Sequence, residues 1–577
     1  MKKGLAILFL ACLAGNCPAQ DALPSWNADN QKAWWEQNPS PAQWPQAVSH
    51  LMDELKADYQ QNDVNTFSNS DFQGWLEHLE WIQLGLANPD VLADPDNLKT
   101  FVALGKDETV SHLFVEKLSL RDVRKEALKN ILRLGRANLD DLHEYAALGV
   151  AYSLVFDQPF PPYWPHPQVK QEAVPIGDLD IVQRFNFYVQ SNRDKKTDLD
   201  LTTLSFENLR FLVDSKVKLS ELEYAQQNRI SYSHFEDVFS SINYDLTRAS
   251  GGTFSFIWGQ PTYTLQDIEK TGGICVDQAY YATMIGKGRG IPTLYFSGQG
   301  VDGGHAWFGY LSRSGKWELD CGRYANQNFA RGYALDPQTW QFIDDTELAN
   351  FFKNGDTSPN YQPARNAMAW ALLQGHGPSV KKILDDARSI MPELAETWKM
   401  EASFLEYTNA TDDDKKAFYQ SWITQFSSFP DMKVLGQRLL LEVLKKDNDP
   451  EADGLQQDIV LANRGSGFDV GIDEASGVIM DKIAAGDWDA ARLEYERTIR
   501  DFSEQGGGTL FYDVITPYVK VCLKDGHPDQ ASEAIKFAED RMNINTDSVI
   551  ADGISKLKKE VDDQKGASAA QPAQAAP

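Results

Sequence analysis

A change of texture in the middle of the chain constrains its fold more than any other feature. Between about residues 230 and 345 glycines become dense and short β-prone runs appear, such as Thr293-Leu294-Tyr295-Phe296 and Ala306-Trp307-Phe308-Gly309-Tyr310. On both sides the pattern is helical. Trp34-Trp35, Leu51-Met52-Leu55 and Trp75-Leu76-Leu79-Ile82 recur at helical spacing before it. Asn138 reads as the cap of a helix through Leu142, Tyr145 and Leu148, and Asp157 to Pro165 reads as a stiff, extended connector. A mixed segment set between helical flanks predicts an α+β protein.

At 577 residues the chain exceeds what one core can hold. The expected division is a signal peptide over 1–19, an N-terminal α-helical domain over 20–229, the mixed core over 230–345, a C-terminal helical domain over 346–563 and a disordered tail over 564–577. In the C-terminal part, Gly486-Asp487-Trp488 and Gly526-His527-Pro528 each open a helix, as in tetratricopeptide-like α-hairpins. The glycine interval exceeds the usual repeat of about 34 residues, so an irregular helical bundle stays open beside a stacked array. Gln505-Gly506-Gly507-Gly508 between them reads as a flexible loop, and the Ala-, Gln-, Pro- and Ser-rich end lacks the apolar bulk to fold.

The first nineteen residues carry Lys2-Lys3, an apolar run from Leu5 to Ala14 too short to span a bilayer, and Cys17-Pro18-Ala19 with small residues at the cleavage positions. They predict export to the periplasm or the exterior. A lipoprotein cut before Cys12 or Cys17 fits less well, since neither has a good Leu-Ala-Gly-like box before it. No later run predicts a transmembrane helix. Lys and Arg number 55 against 83 Asp and Glu, a net charge of −28 that repels phosphate backbones and argues against a nucleic-acid partner. After removal of the signal the chain keeps Cys275, Cys321 and Cys522, an odd number, so at least one thiol stays free. Cys522 reads as a buried core residue. A Cys275–Cys321 disulfide remains open and would silence Cys275.

Gly272-Gly273-Ile274-Cys275-Val276-Asp277-Gln278-Ala279 puts a cysteine after a glycine turn, at the start of a helix anchored by Ala279, Ala282 and Ile285. A helix N-terminus with a nearby imidazolium lowers a thiol's pKa, and the Cys275 N–H can face a developing oxyanion. His305, in Gly304-His305-Ala306-Trp307, is the candidate base, and Asp320, in Trp317-Glu318-Leu319-Asp320, its orienter. Trp258, Gln260 and Trp307 are the candidate oxyanion or substrate contacts. Ser312-Arg313-Ser314-Gly315 predicts a hairpin turn. An even loop puts Asp320 opposite Trp307 and diagonal to His305; an odd loop turns Asp320 away and presents Leu319 and Cys321. No His-rich cluster, paired Cys-x-x-Cys or EF-hand loop predicts a metal, and no cofactor is expected.

Together with Gly290-Ile291-Pro292-Thr293, these blocks resemble the transglutaminase-like superfamily over roughly a hundred residues, most specifically at the cysteine and histidine blocks. The resemblance implies a papain-like core with Cys275, His305 and Asp320 as its triad. It does not extend to the helical flanks. The leading expectation is an exported cysteine peptidase or amidase acting on amide bonds of peptides or proteins, with a protein partner able to dock on the C-terminal helices. The alternatives are a protein-glutamine transamidase with an amine acceptor, and a non-catalytic peptide-binding module.

Overall fold

The computed structural model describes residues 25–250, 256–300, 303–323, 331–354, 358–375, 377, 379–464, 467–544, 546 and 548–569. The expected signal segment, and residues 570–577 of the expected tail, lie outside them. The protein is mostly helical (67%) with a small five-stranded antiparallel sheet, an α+β arrangement.

The N-terminal helices form where aromatic and aliphatic residues repeat, as in Ala28–Gln37, Trp44–Asn62 and Ser70–Ala87. Asn138 caps Leu139–Glu144, its side chain accepting the N–H groups of Asp140 and Asp141 at 3.1 and 3.2 Å. No helix or strand forms between Val155 and Gln171, where the prolines cluster.

The sheet lies in the middle of the chain, in the order β3-β2-β1-β4-β5. Its strands are β1 (Thr293–Gly300), β2 (Gly303–Leu311), β3 (Trp317–Cys321), β4 (Gly332–Leu335) and β5 (Phe342–Asp344). The period-two alternation of β2 sorts its side chains. Ala306, Phe308 and Tyr310 pack into the main core with the helix Cys275–Gly288, whereas Trp307 packs on the opposite face with Phe211, Leu294, Phe296, Ala334 and Leu348. Full burial of each such large side chain stabilises the fold by about 1.5–3 kcal/mol.

The main core is continuous from the N-terminal helices through the Cys275 helix and β2. It extends into Ala367, Trp370, Ile383 and Ala387 of the helices Tyr361–Gln374 and Val380–Ile390. Packing therefore crosses the boundary expected near residue 346. Beyond Ile390 two further cores follow, one built around Trp398, Trp422 and Phe426 and one around Tyr495, Tyr518 and Ile535. Consecutive helices there lie against one another, Phe468–Ala484 on Trp488–Phe502 and Thr516–Lys524 on Pro528–Arg541. Gly486 and Gly526 have φ of +78° and +85° and turn the chain into the two helices they precede.

Two expectations are corrected in this region. Gln505–Gly508 is no loose loop: Gly507–Thr509 begins a helix that continues as a π-helical stretch, Leu510–Ile515, into Thr516–Lys524. Gly506 serves close packing, since a Cβ there would fall 2.5 Å from Ile472 Cδ1. The expected tail from residue 564 is helical as far as Ala569, the end of Val549–Ala569. Among the described residues no helix is long and apolar enough to cross a membrane.

Candidate active site

The glycine pair shapes the approach to Cys275. Gly272 has φ +81°, and a Cβ on it would meet the Asn243 carbonyl oxygen at 2.6 Å. At Gly273 a Cβ would fall 2.4 Å from Cβ of Asp277. Gly273 donates its N–H to Asn243 O and accepts from Asp245 N–H, both at 2.9 Å, so the turn is pinned on each side. The helix Cys275–Gly288 begins directly after it and is buried along its whole length. Its far end is tied down by Lys287, whose ammonium donates to the carbonyls of Phe211 (2.5 Å) and Thr293 (3.0 Å) and pairs with Asp214.

This geometry sets Cys275 in the first turn of the helix, 8% exposed. The backbone N–H groups of Ala306 on β2, of Val276 and of Cys275 itself favour its thiolate form. Burial holds the thiol above its ordinary pKa and the Asp277 carboxylate adds to that, while the three N–H groups pull the other way. The resting group is the neutral thiol.

His305 precedes Ala306 on β2. The ring is 6% exposed, edge-on to Phe239 at 6.3 Å and stacked over Trp307 at 6.0 Å. Its Nε2 lies 2.7 Å from the carbonyl oxygen of Gly322. A carbonyl only accepts, so Nε2 carries the hydrogen and Nδ1 holds the lone pair. Burial lowers the pKa of the ring and Arg323 lowers it further, against the opposing pull of the Gly322 carbonyl. Burial thus favours the neutral form of the imidazole.

Asp320 does not occupy the place expected of it. The loop Ser312–Lys316 has five residues, an odd number, and pairs Leu311 with Trp317 and Tyr310 with Glu318. The register then shifts at a bulge, so that Phe308 faces Cys321. Trp317 and Leu319 pack on the Trp307 face and Cys321 on the Phe308 face, leaving the Asp320 side chain 66% exposed and ion-paired to Arg323 at 2.9 Å. The hydrogen bond to the imidazole comes instead from main chain two residues on. Gly322 has φ +88°, and a Cβ on it would meet the Phe239 ring at 2.9 Å.

Neither candidate indole has a hydrogen left for an oxyanion, because an indole carries one N–H. That of Trp258 goes to Thr262 O at 2.8 Å and that of Trp307 to Leu319 O at 3.1 Å. Gln260 is exposed at the surface. Cys275, Cys321 and Cys522 are all free thiols, so the Cys275–Cys321 disulfide left open by the sequence is not formed. Burial pushes both Cys321 and Cys522 up to about 12.

A buried polar chain beneath the helix start escaped the reading of the sequence. Asp277, with no exposed surface, accepts the Ile274 N–H at 2.8 Å and the Tyr263 hydroxyl at 2.8 Å, and it pairs with Arg248. The Tyr263 oxygen in turn lies 2.8 Å from His166 Nε2. Arg248 donates to Phe256 O at 2.6 Å and lies over the Trp258 ring at 5.4 Å. Tyr295 of β1 stacks on His166 at 5.9 Å; burial, with Cys275 and Asp277 adding, keeps its phenol well above the ordinary range. The one sequence signal for this chain was Asp277 itself, two residues after the cysteine.

Among the described residues one group of carboxylates, Asp344, Asp345 and Asp431, has ligand atoms within 4.8 Å of one another. Arg323 pairs with Asp345 at 2.6 Å and Arg331 with Asp431 at 3.4 Å, so the group serves as an ion-pair junction between the sheet and the C-terminal helices. Comparison of the whole chain with family models, with curated proteins and with solved structures finds no match.

Proposed function

We propose that the protein is a cysteine-dependent acyl-transfer enzyme of transglutaminase-like fold, acting on amide bonds of peptides or proteins with Cys275 as nucleophile and His305 as base. The observation that supports this reading is Cys275 in the first turn of a buried helix packed on β2, with His305 on that strand and its Nε2 engaged by the Gly322 carbonyl, so that Nδ1 carries the lone pair. In the first step Nδ1 takes the Cys275 proton while the sulfur attacks the amide carbonyl carbon, and the carbonyl π electrons move to oxygen. The tetrahedral intermediate collapses, the C–N bond breaks, and the imidazolium gives its proton to the departing amine. Water, deprotonated by the same nitrogen, then attacks the thioester, releases the acid and restores the thiol. The helix-start N–H groups favour the developing oxyanion. With the carboxylate of Asp320 in solvent, we assign the orientation of His305 to the Gly322 carbonyl. Residues 1–19 fit an exported enzyme.

Hydrolysis of a fluorogenic peptide amide tests the reading. Cys275→Ala should abolish turnover and leave helicity and melting unchanged; full activity in that variant would end the proposal. Incorporation of a labelled primary amine into glutamine-bearing peptides would move the assignment from hydrolysis to transamidation.

A further inference from the structure

Asp277 poses a physical problem for a nucleophilic Cys275. A carboxylate two residues away in the same helical turn opposes formation of a thiolate, and in a buried site that repulsion is weakly screened. Asp277 is fully buried and fixed, since its oxygens hold the Ile274 N–H and the Tyr263 hydroxyl. It therefore cannot swing into solvent when negative charge develops on sulfur. The compensating cation comes from a separate element. Arg248 lies on the short helix Leu246–Ser250, is 9% exposed, pairs with Asp277 and is held in place by Phe256 O and the Trp258 ring.

We propose that Arg248 is a positioning residue for Cys275: its ion pair with Asp277 masks that carboxylate, so that Asp277 anchors the helix start through Ile274 without repelling the charge that develops on the sulfur. Asp277 thus does mechanical work at one oxygen, and its charge is cancelled at the same site. The other titratable group acting with the sulfur is Tyr295 on β1, with Tyr263 and His166 connected through Asp277. Each of these is neutral at neutral pH. Burial pushes the Asp277 carboxyl up and Arg248 opposes that, so the Arg248–Asp277 ion pair is what keeps this carboxylate charged and masked at once. The inference rests on Cys275 being the nucleophile proposed above, but its test reads the thiol directly and needs no substrate.

The experiment is alkylation of the intact protein by iodoacetamide across a pH series, with the adduct at Cys275 quantified by peptide mapping and Cys522 as internal reference. Arg248→Met should move the Cys275 midpoint upward by about one pH unit or more, because it leaves a bare carboxylate beside the thiol. Arg248→Lys should recover part of the shift. Asp277→Asn should move the midpoint downward, and the double variant Arg248→Met/Asp277→Asn should return it close to wild type. An unshifted midpoint in folded Arg248→Met, or a double variant displaced as far as Arg248→Met alone, would overturn the proposal. If Arg248→Met fails to fold, Asp277→Asn decides by itself: an unchanged or raised midpoint counts against masking. An acyl-transfer assay that fails while the alkylation shifts appear would instead remove the proposed function and leave this inference standing.

Discussion

At the scale of single residues, some charged groups merely lie near the imidazole. Asp320→Asn removes one exposed partner of Arg323, and exposed ion pairs contribute about 0–1 kcal/mol, so peptide-amide hydrolysis should stay within a few-fold of wild type. A loss as large as that of His305→Ala would restore Asp320 to the triad. Gly322→Ala should be the damaging change instead. It forces a side chain to φ +88° against Phe239 and displaces the carbonyl that orients His305, a misplacement able to cost on the order of 10²-fold in kcat. Cys275 and His305 were legible because reactive residue types stood in telling surroundings. Gly322 was not, since a main-chain carbonyl has no sequence signature. His166 gives a pH prediction. Burial holds it at about 3 against an ordinary 6.5, so below pH 6.5 the unfolded chain takes up a proton that the folded chain refuses. Stability is therefore present above that value and falls as pH drops towards 3, by on the order of 1 kcal/mol per pH unit for this group. Melting of His166→Gln should show a flatter acid limb than wild type; parallel curves would contradict the assignment.

Among elements, the hairpin β2–β3 shows where sequence reasoning stops. Alternation in Ala306–Tyr310 and the Ser-Arg-Ser-Gly turn were enough to place both strands. Which face Asp320 takes depended on loop parity and on a bulge, and one added residue reverses a face. The turn into the Cys275 helix was legible in outline from Gly272-Gly273. Its partner was not, because Asn243 meets it through a backbone carbonyl thirty residues upstream in a stretch of weak pattern. Gly272→Ala should strain this turn at φ +81° and press a methyl on that carbonyl, lowering Tm and slowing Cys275 alkylation together. A variant with normal Tm and normal alkylation would show that the turn is not what sets the cysteine. The triple-glycine segment near residue 506 reads as a loop by composition, yet becomes helix because the absent side chains let Ile472 approach. Composition alone cannot separate glycine used for freedom from glycine used for proximity.

On the scale of the whole molecule, the apolar cores are held together by polar junctions as well as apolar contact. Arg331, beside the sheet, pairs with Asp469 at 3.0 Å and Asp431 at 3.4 Å on the C-terminal helices, and both carboxylates are largely buried. Arg331→Met leaves them uncompensated, a change that costs about 3–5 kcal/mol in buried pairs. Hydrogen exchange should then accelerate across Phe468–Ala484 while the N-terminal helices keep their protection; uniform protection would show the junction to be dispensable. The helical flanks were evident from apolar spacing, whereas the continuity of the main core into residues 361–390 was not, because helix periodicity reports a buried stripe without naming its partner. The central claim, that Cys275 and His305 act as one unit, is tested most directly by single-turnover acylation followed by mass spectrometry of the intact and digested protein. The account predicts rapid acylation of Cys275 over Cys522 by an acyl electrophile, discharge of the adduct by water, and loss of both in His305→Ala by about 10²- to 10⁴-fold. Equal labelling of the two cysteines, or wild-type rates in His305→Ala, would contradict it.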